Sequence, residues 1–321
     1  MNNSSTMISE SGLQWNVEQL YHQLAPRLPN LSVEVVSQIP STNTALLERA
    51  RVATRLSSEG DLAQVRRSTE SLAFGRRTAD HQPCLLVAEH QTEGRGRQGR
   101  VWQSEAGASL TFSLAVPLAP VDWSGFSLAV GVALADALDP TGTSTSTPWI
   151  GIKWPNDLWL MPPGGTANSG RKLGGLLIET VPAGALRLAV IGVGLNVLPL
   201  SIDRSQVASG FACLEELDRQ ATAPQVLARI ALPLVEALQR FEREGFAGFA
   251  ERFAARDVLR GCAVQAGAGL SDPARAATGV HGVAGGVAGN GAWRLRVLDE
   301  LREVIAGDVS VRLQPALDRP C

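Results

Sequence analysis

The chain has 321 residues, a formal net charge of −2, 45% hydrophobic and 19% charged residues, a composition that fits a soluble globular protein with room for one large domain and a small one. A charge this close to neutral excludes a protein that grips nucleic acid through a global basic field, and four scattered cysteines (Cys84, Cys213, Cys262, Cys321) without a C-x-x-C pair exclude a disulfide framework and a thiolate zinc site. No apolar run reaches membrane-spanning length and the first residues lack a secretory signal, so a cytoplasmic location is expected.

In chain order, residues 1–12 are polar. Trp15, Leu20, Leu24 and Leu28 predict a short helix, Val33–Val36 a strand, and Ala45–Ala50 a helix opened by Ser41-Thr42-Asn43, all good helix N-cap residues. Residues 57–82 are polar and weakly periodic and read as an insertion. Leu85–Ala88 is a strand leading into Gly94-Arg95-Gly96-Arg97-Gln98-Gly99-Arg100, and a strand returns at 109–116. A helix is predicted over 124–138, strands at 149–153, 157–160, 174–181 and 186–194, and helices at 205–218, 224–243 and 246–256. Residues 162–170 form a Gly/Pro-rich extension between two of these strands. After Gly261, short alternating segments at 277–280, 293–297, 303–305 and 309–312 are separated by glycine-rich turns, the pattern of a small all-β module.

The stretch 94–100 places three arginines among three glycines. Glycine lets backbone and ligand approach closely, and arginine clamps carboxylates and phosphates through two parallel hydrogen bonds. The spacing also reads G-x-G-x-x-G, but a strand rather than a helix follows it, so a dinucleotide fold is rejected. The histidines have no triad-like context. The cations are a local device, and two readings stand: a flexible loop that closes over an anionic ligand, or a solvated basic hairpin.

Four motifs stand in order: Ser41-Thr42-Asn43, the stretch Glu89–Trp102 (EHQTEGRGRQGRVW), Lys153-Trp154-Pro155-Asn156-Asp157, and Arg171–Glu179 (RKLGGLLIE); Gly192-Val193-Gly194-Leu195-Asn196 follows. The series resembles the biotin–protein ligases. The resemblance implies an α+β fold: a mixed β-sheet catalytic domain flanked by helices (31–258) after an N-terminal extension (1–30), and a small C-terminal SH3-like β-barrel (259–321). The extension is too short for a three-helix DNA-binding module, so the ligase-only type is the expectation. Pro40, His90 and Glu93 depart from the family pattern, Glu93 as an acid beside the cationic loop.

The resemblance also implies a two-step reaction. Biotin's carboxylate attacks the α-phosphate of ATP to give biotinyl-5′-AMP and pyrophosphate; a lysine amine of a carrier then attacks the mixed anhydride. By resemblance Lys172 and Arg97 are catalytic. Ser41, Thr42, Asn43, Gln91, Gly94, Arg95, Arg97, Lys172, Gly174 and Gly175 bind biotin. Arg95, Arg97, Arg100, Trp102, Asn156, Lys172, Asn196 and Arg312 bind ATP or the adenylate. Asp157 is the candidate base for the incoming amine. Each has a plainer alternative from its residues alone: a helix cap for 41–43, a solvated lysine for Lys172, a core indole for Trp102, an ordinary turn for 156–157, a surface arginine for Arg312. No protein metal site is expected; the implied cofactors are ATP with Mg²⁺, and biotin is the substrate. The implied partner is the biotin carboxyl carrier domain of acetyl-CoA carboxylase, with no DNA and no membrane; oligomeric state, monomer or weak homodimer, is left open. The competing readings are a lipoate ligase or octanoyltransferase and a non-catalytic biotin-sensing regulator.

Overall fold

A computed structural model describes residues 12–59, 72–74, 81–142, 149–183, 186–200, 210–268, 270, 279–305 and 309–314. The helices are α1 (Val17–Leu24), α2 (Thr42–Glu59), α3 (Phe126–Leu138), α4 (Ala223–Glu244) and α5 (Ala250–Arg256). The strands are β1 (Ser32–Ile39), β2 (Leu72–Phe74), β3 (Cys84–Gln91), β4 (Ser109–Leu118), β5 (Ile150–Lys153), β6 (Asp157–Leu160), β7 (Arg171–Ala183), β8 (Leu186–Asn196), β9 (Ala263–Ala268), β10 (Val280–Val287), β11 (Trp293–Val297), β12 (Glu300–Val304) and β13 (Val309–Leu313). The chain forms two compact units: residues 1–119, 175–202 and 213–235, and residues 120–174, 203–212 and 236–321.

In the first unit the sheet order is β2-β1-β3-β4-β8-β7. β1 runs parallel to β3, and β3–β4 and β4–β8 are antiparallel. α2 lays Leu46, Leu47 and Ala50 on one face of this sheet, against Leu86 and Ala88 of β3, Ala115 of β4 and Val190 of β8. Because alternate strand residues share a face, the register of β4 with β8 sets what α2 meets along its length. The pairs run Ala115↔Val190, Ser113↔Gly192, Thr111↔Gly194 and Ser109↔Asn196. Beneath the body of α2 the face is apolar; towards the helix N-terminus it turns polar and loses the side chains of β8.

In the second unit α3 is buried nearly all round, as its run of Leu, Val and Ala requires. Phe126 packs on Phe241, and Phe246 on Phe253. Arg256 is 1% exposed, yet its guanidinium is fully used. Nε donates to Asp136, one terminal nitrogen to Asp139 Oδ2 and the Ile150 carbonyl, and the other to the Asp139 carbonyl. Such pairing is what lets a charge stay inside a protein. Asp139 in turn accepts the Trp149 and Ile150 backbone N–H groups, so this cluster sets where β5 begins.

The C-terminal strands have the order β12-β11-β10-β9-β13. All pairs are antiparallel. The α+β class is as expected, but this is an open five-stranded sheet with β12 and β13 at its edges rather than a closed barrel. Three further elements differ from the sequence expectation. β9 was not anticipated, because Ala263-Val264-Gln265-Ala266-Gly267-Ala268 has almost no β-branched or aromatic residue. Of the helix expected over 205–218, residues 205–209 lie outside the described residues, and the rest holds only a 3₁₀ turn at Leu214–Glu216. Inside the 57–82 insertion α2 continues to Glu59 and β2 pairs with β1; residues 60–71 and 75–80 lie outside the described residues. Among the described residues, no helix is long and apolar enough to cross a membrane.

Candidate functional site

The polar end of the α2 face in the first unit gathers most of the side chains singled out from sequence. Ser41, Thr42 and Asn43 are buried at the start of α2. The Ser41 hydroxyl accepts the Thr44 N–H at 3.4 Å, a helix cap. Thr42 donates to Gln91 Oε1 twice, from its backbone N at 2.8 Å and its hydroxyl at 3.1 Å. Asn43 Nδ2 donates to the Leu177 carbonyl at 3.0 Å and to Glu179 Oε2 at 3.1 Å, both on β7. Ser113, fully buried on β4, places its hydroxyl 2.7 Å from Thr42 Oγ1 and 2.6 Å from Asn43 Oδ1. The cap and the binding reading of 41–43 are therefore compatible: the helix start is built into a polar network.

The glycines of β8 make room for it. A Cβ on Gly192 would lie 2.3 Å from Asn43 Oδ1, and one on Gly194 2.5 Å from the Trp102 indole. Trp102 thus rests against bare strand backbone, its buried Nε1 without a hydrogen-bond partner among the described residues. Asn196, 5% exposed, ends the same strand.

The cationic stretch is a hairpin. Trp102 N donates to Gly94 O at 2.8 Å and Gly96 N to Arg100 O at 2.7 Å. The chain reverses through Gln98 and Gly99, both at positive φ (58° and 71°), so glycine at 99 serves the turn. Arg97 and Arg100 flank this reversal. Arg95 leaves the neck of the hairpin to reach Thr44 Oγ1 at 3.2 Å and Glu179 Oε1 at 3.3 Å. Glu93, the unusual acid, is exposed, while its backbone N–H is held by Pro40 O.

In the second unit β5 and β6 form a hairpin whose register pairs Lys153 with Asp157, closed by Trp154, Pro155 and Asn156. The Trp154–Pro155 peptide is cis. Asp157 Oδ1 holds Lys172 Nζ at 2.8 Å, with both side chains largely shielded. The Lys172 backbone is fixed in turn: its N–H reaches Gly210 O and its carbonyl accepts Ala212 N. Lys172 is therefore an oriented, paired ammonium rather than a solvated lysine. Gly174 follows it on β7, and Gly175 begins the part of that strand in the first unit. Arg312 is exposed on β13 opposite Gln265 of β9.

Residues 62–196 match the sequence profile of the biotin/lipoate A/B protein ligase family. Over that stretch the chain is similar to that family. Among curated relatives of this ligase family, the bifunctional ligase/repressor BirA of Escherichia coli is 29% identical over 296 residues, 90% of this chain and 77% of that protein. The biotin–[acetyl-CoA-carboxylase] ligase of Mycobacterium tuberculosis is 32% identical over 209 residues, 64% of each chain. Among solved structures, the biotin protein ligase of Aquifex aeolicus in complex with biotin and ATP has the same fold, with a TM-score of 0.57, 20% identity and coverage of 88% of this chain and 99% of that one.

Sequence reasoning did not single out two members of the ligase's polar network, Ser113 and Glu179. Both sit on strands opposite α2, far from Asn43 in sequence. The available signal was the polar break in an otherwise apolar β4 (Thr111 and Ser113 among Leu, Phe and Ala).

Proposed function

We propose that this chain is an ATP-dependent biotin–protein ligase that makes biotinyl-5′-AMP and passes biotin to a lysine of a biotin carboxyl carrier domain. The observation that carries this reading within a biotin/lipoate family is the buried floor of Thr42, Asn43, Gln91 and Ser113. A ureido ring offers a carbonyl acceptor and two N–H donors, which such groups can match. A dithiolane ring offers neither and would leave Gln91 Nε2 unpaired, which disfavours it. Oε1 of Gln91 takes both Thr42 donors, and among the described residues its Nε2 has no protein partner, which leaves it as the donor for the ureido carbonyl.

In the first step the biotin carboxylate, already ionised, attacks the α-phosphorus and the bond to pyrophosphate breaks. No general base is required. What the step needs is positive charge fixed where negative charge builds up, with water excluded. Lys172 and Arg97 take that role, with Arg95, Arg100 and Arg312 as further cations toward ligand or phosphate. Gly94, Gly174 and Gly175 give close backbone approach to biotin; Trp102, Asn156 and Asn196 face the adenylate. In the second step the carrier amine attacks the acyl carbon, AMP leaves and the amine loses a proton.

Mg²⁺ enters with the triphosphate. Among the described residues no three His, Cys, Asp or Glu side chains cluster to hold an ion independently. The Asp157 carboxylate and the Asn156 amide are oxygen donors suited to a hard cation that keeps most of its ligands as phosphate and water. Residues 31–258 carry the catalytic chemistry and 259–321 form an accessory module.

ATP–pyrophosphate exchange measured with biotin, with lipoate and with neither tests the reading. Exchange dependent on biotin alone supports it; exchange with lipoate alone, or with neither acid, overturns it.

A further inference from the structure

We infer that Glu179 is a positioning residue that ties the cationic hairpin to the polar floor of the acid-binding pocket; this rests on the ligase reading above. Its two carboxylate oxygens go to different places. Oε2 accepts Asn43 Nδ2 at 3.1 Å and Oε1 accepts Arg95 at 3.3 Å. From Asn43 the chain of contacts continues through Ser113 to Thr42 and Gln91. Glu179 is therefore the one group, among the described residues, that touches both the hairpin's arginine and the floor's asparagine.

The chemistry of a carboxylate sets the sense of this network. An ionised carboxylate only accepts. Asn43 must then turn its NH₂ toward Glu179 and the Leu177 carbonyl, which leaves Oδ1 facing Ser113. The Ser113 hydroxyl has one hydrogen, shared between Asn43 Oδ1 and Thr42 Oγ1, and the Thr42 hydroxyl passes its own on to Gln91 Oε1. Glu179, together with the Leu177 carbonyl, thus fixes which floor atoms are donors and which are acceptors, the property on which recognition of a ureido ring depends. The other oxygen holds Arg95, whose side chain is 46% exposed, so this arm contributes orientation more than strength.

The test compares Glu179→Gln and Glu179→Ala with the wild-type full chain. Glutamine keeps one acceptor for Asn43 but not the ion pair, and alanine loses both arms. Loss of one charge-assisted hydrogen bond is expected to weaken biotin binding about tenfold in Glu179→Gln, and more in Glu179→Ala. The KM for biotin should rise more than the KM for ATP, which depends on Glu179 only through the Arg95 arm. In an Arg95→Ala background Glu179→Gln should add little, the mark of coupled groups. Without any ligand, amide exchange over 94–101 should be faster in Glu179→Gln than in wild type. Unchanged biotin affinity in both variants, or a parallel loss of both KM values, kcat and thermal stability, would overturn the inference. A wild-type chain that binds no biotin would overturn the ligase reading, and the ligand-free exchange measurement would still decide whether Glu179 holds the hairpin.

Discussion

Trp154 and Trp293 stack face to face, ring centroids 5.2 Å apart and planes 18° from parallel, with both side chains almost fully buried. The pair ties the C-terminal sheet to the hairpin that carries Asn156 and Asp157. Among the described residues neither indole N–H has a hydrogen-bond partner, so each ring acts as apolar surface. Trp293→Ala should destabilise the chain by about 3–5 kcal/mol, as for other large aromatic deletions in cores, and lower adenylation. Trp293→Phe should cost clearly less, since no hydrogen bond is lost. Urea denaturation followed by far-ultraviolet circular dichroism, which does not depend on indole fluorescence, checks the order.

Lys172→Ala should lower biotin-dependent pyrophosphate exchange by about 10²–10³-fold, the usual loss for one oriented electrostatic group. The fold should persist, because the Lys172 backbone contacts with Gly210 and Ala212 do not involve its side chain. An active, folded alanine variant would remove Lys172 from the chemistry.

Gly192→Ala and Gly194→Ala should separate the two substrates. A methyl at 192 displaces the Asn43 amide and one at 194 displaces the Trp102 ring. Each should cost about 1–3 kcal/mol of stability by overpacking. The first should raise the KM for biotin selectively, the second the KM for ATP.

Asp257 gives a pH dependence. Burial, only partly offset by its bond from the Leu259 N–H, pushes its carboxyl from 3.8 to about 6. A raised folded value means that the native state prefers the protonated form. The ionisation penalty is absent below about pH 4, grows through pH 6 and is full above it. By the usual conversion it is about 3 kcal/mol at most. Asp257→Asn, which can keep the Leu259 bond, should therefore gain stability over wild type as pH rises from 4 to 7, then hold a constant lead. Melting curves of both proteins at pH 4.5 and 7.5 measure this.

Much of this arrangement is legible in the order of residues. The Gly/Arg stretch announces a tight cationic turn because glycine and arginine have few other uses together, and Leu85–Ala88 and 109–116 flank it as strands. What stays hidden is long-range. Glu179 looks like the polar end of an apolar strand until Asn43 and Arg95 arrive beside it, and Ser113 looks like a tolerated polar residue until Gly192 is seen opposite. β9 is hidden for another reason: alanine and glycine carry almost no strand preference, so pairing with β10 and β13 makes the strand.

The neck of the cationic hairpin has a consequence for how this enzyme can vary. A methyl on Gly94 would fall 2.2 Å from the Trp102 carbonyl, whereas Val101 is 77% exposed. Tolerance to change is thus unevenly distributed over a few consecutive residues. In a saturation library, position 94 should accept nothing larger than hydrogen and 98 chiefly residues that tolerate positive φ, while 101 drifts freely. The tip is where new acid specificities can be sought without unbuckling the turn that carries them.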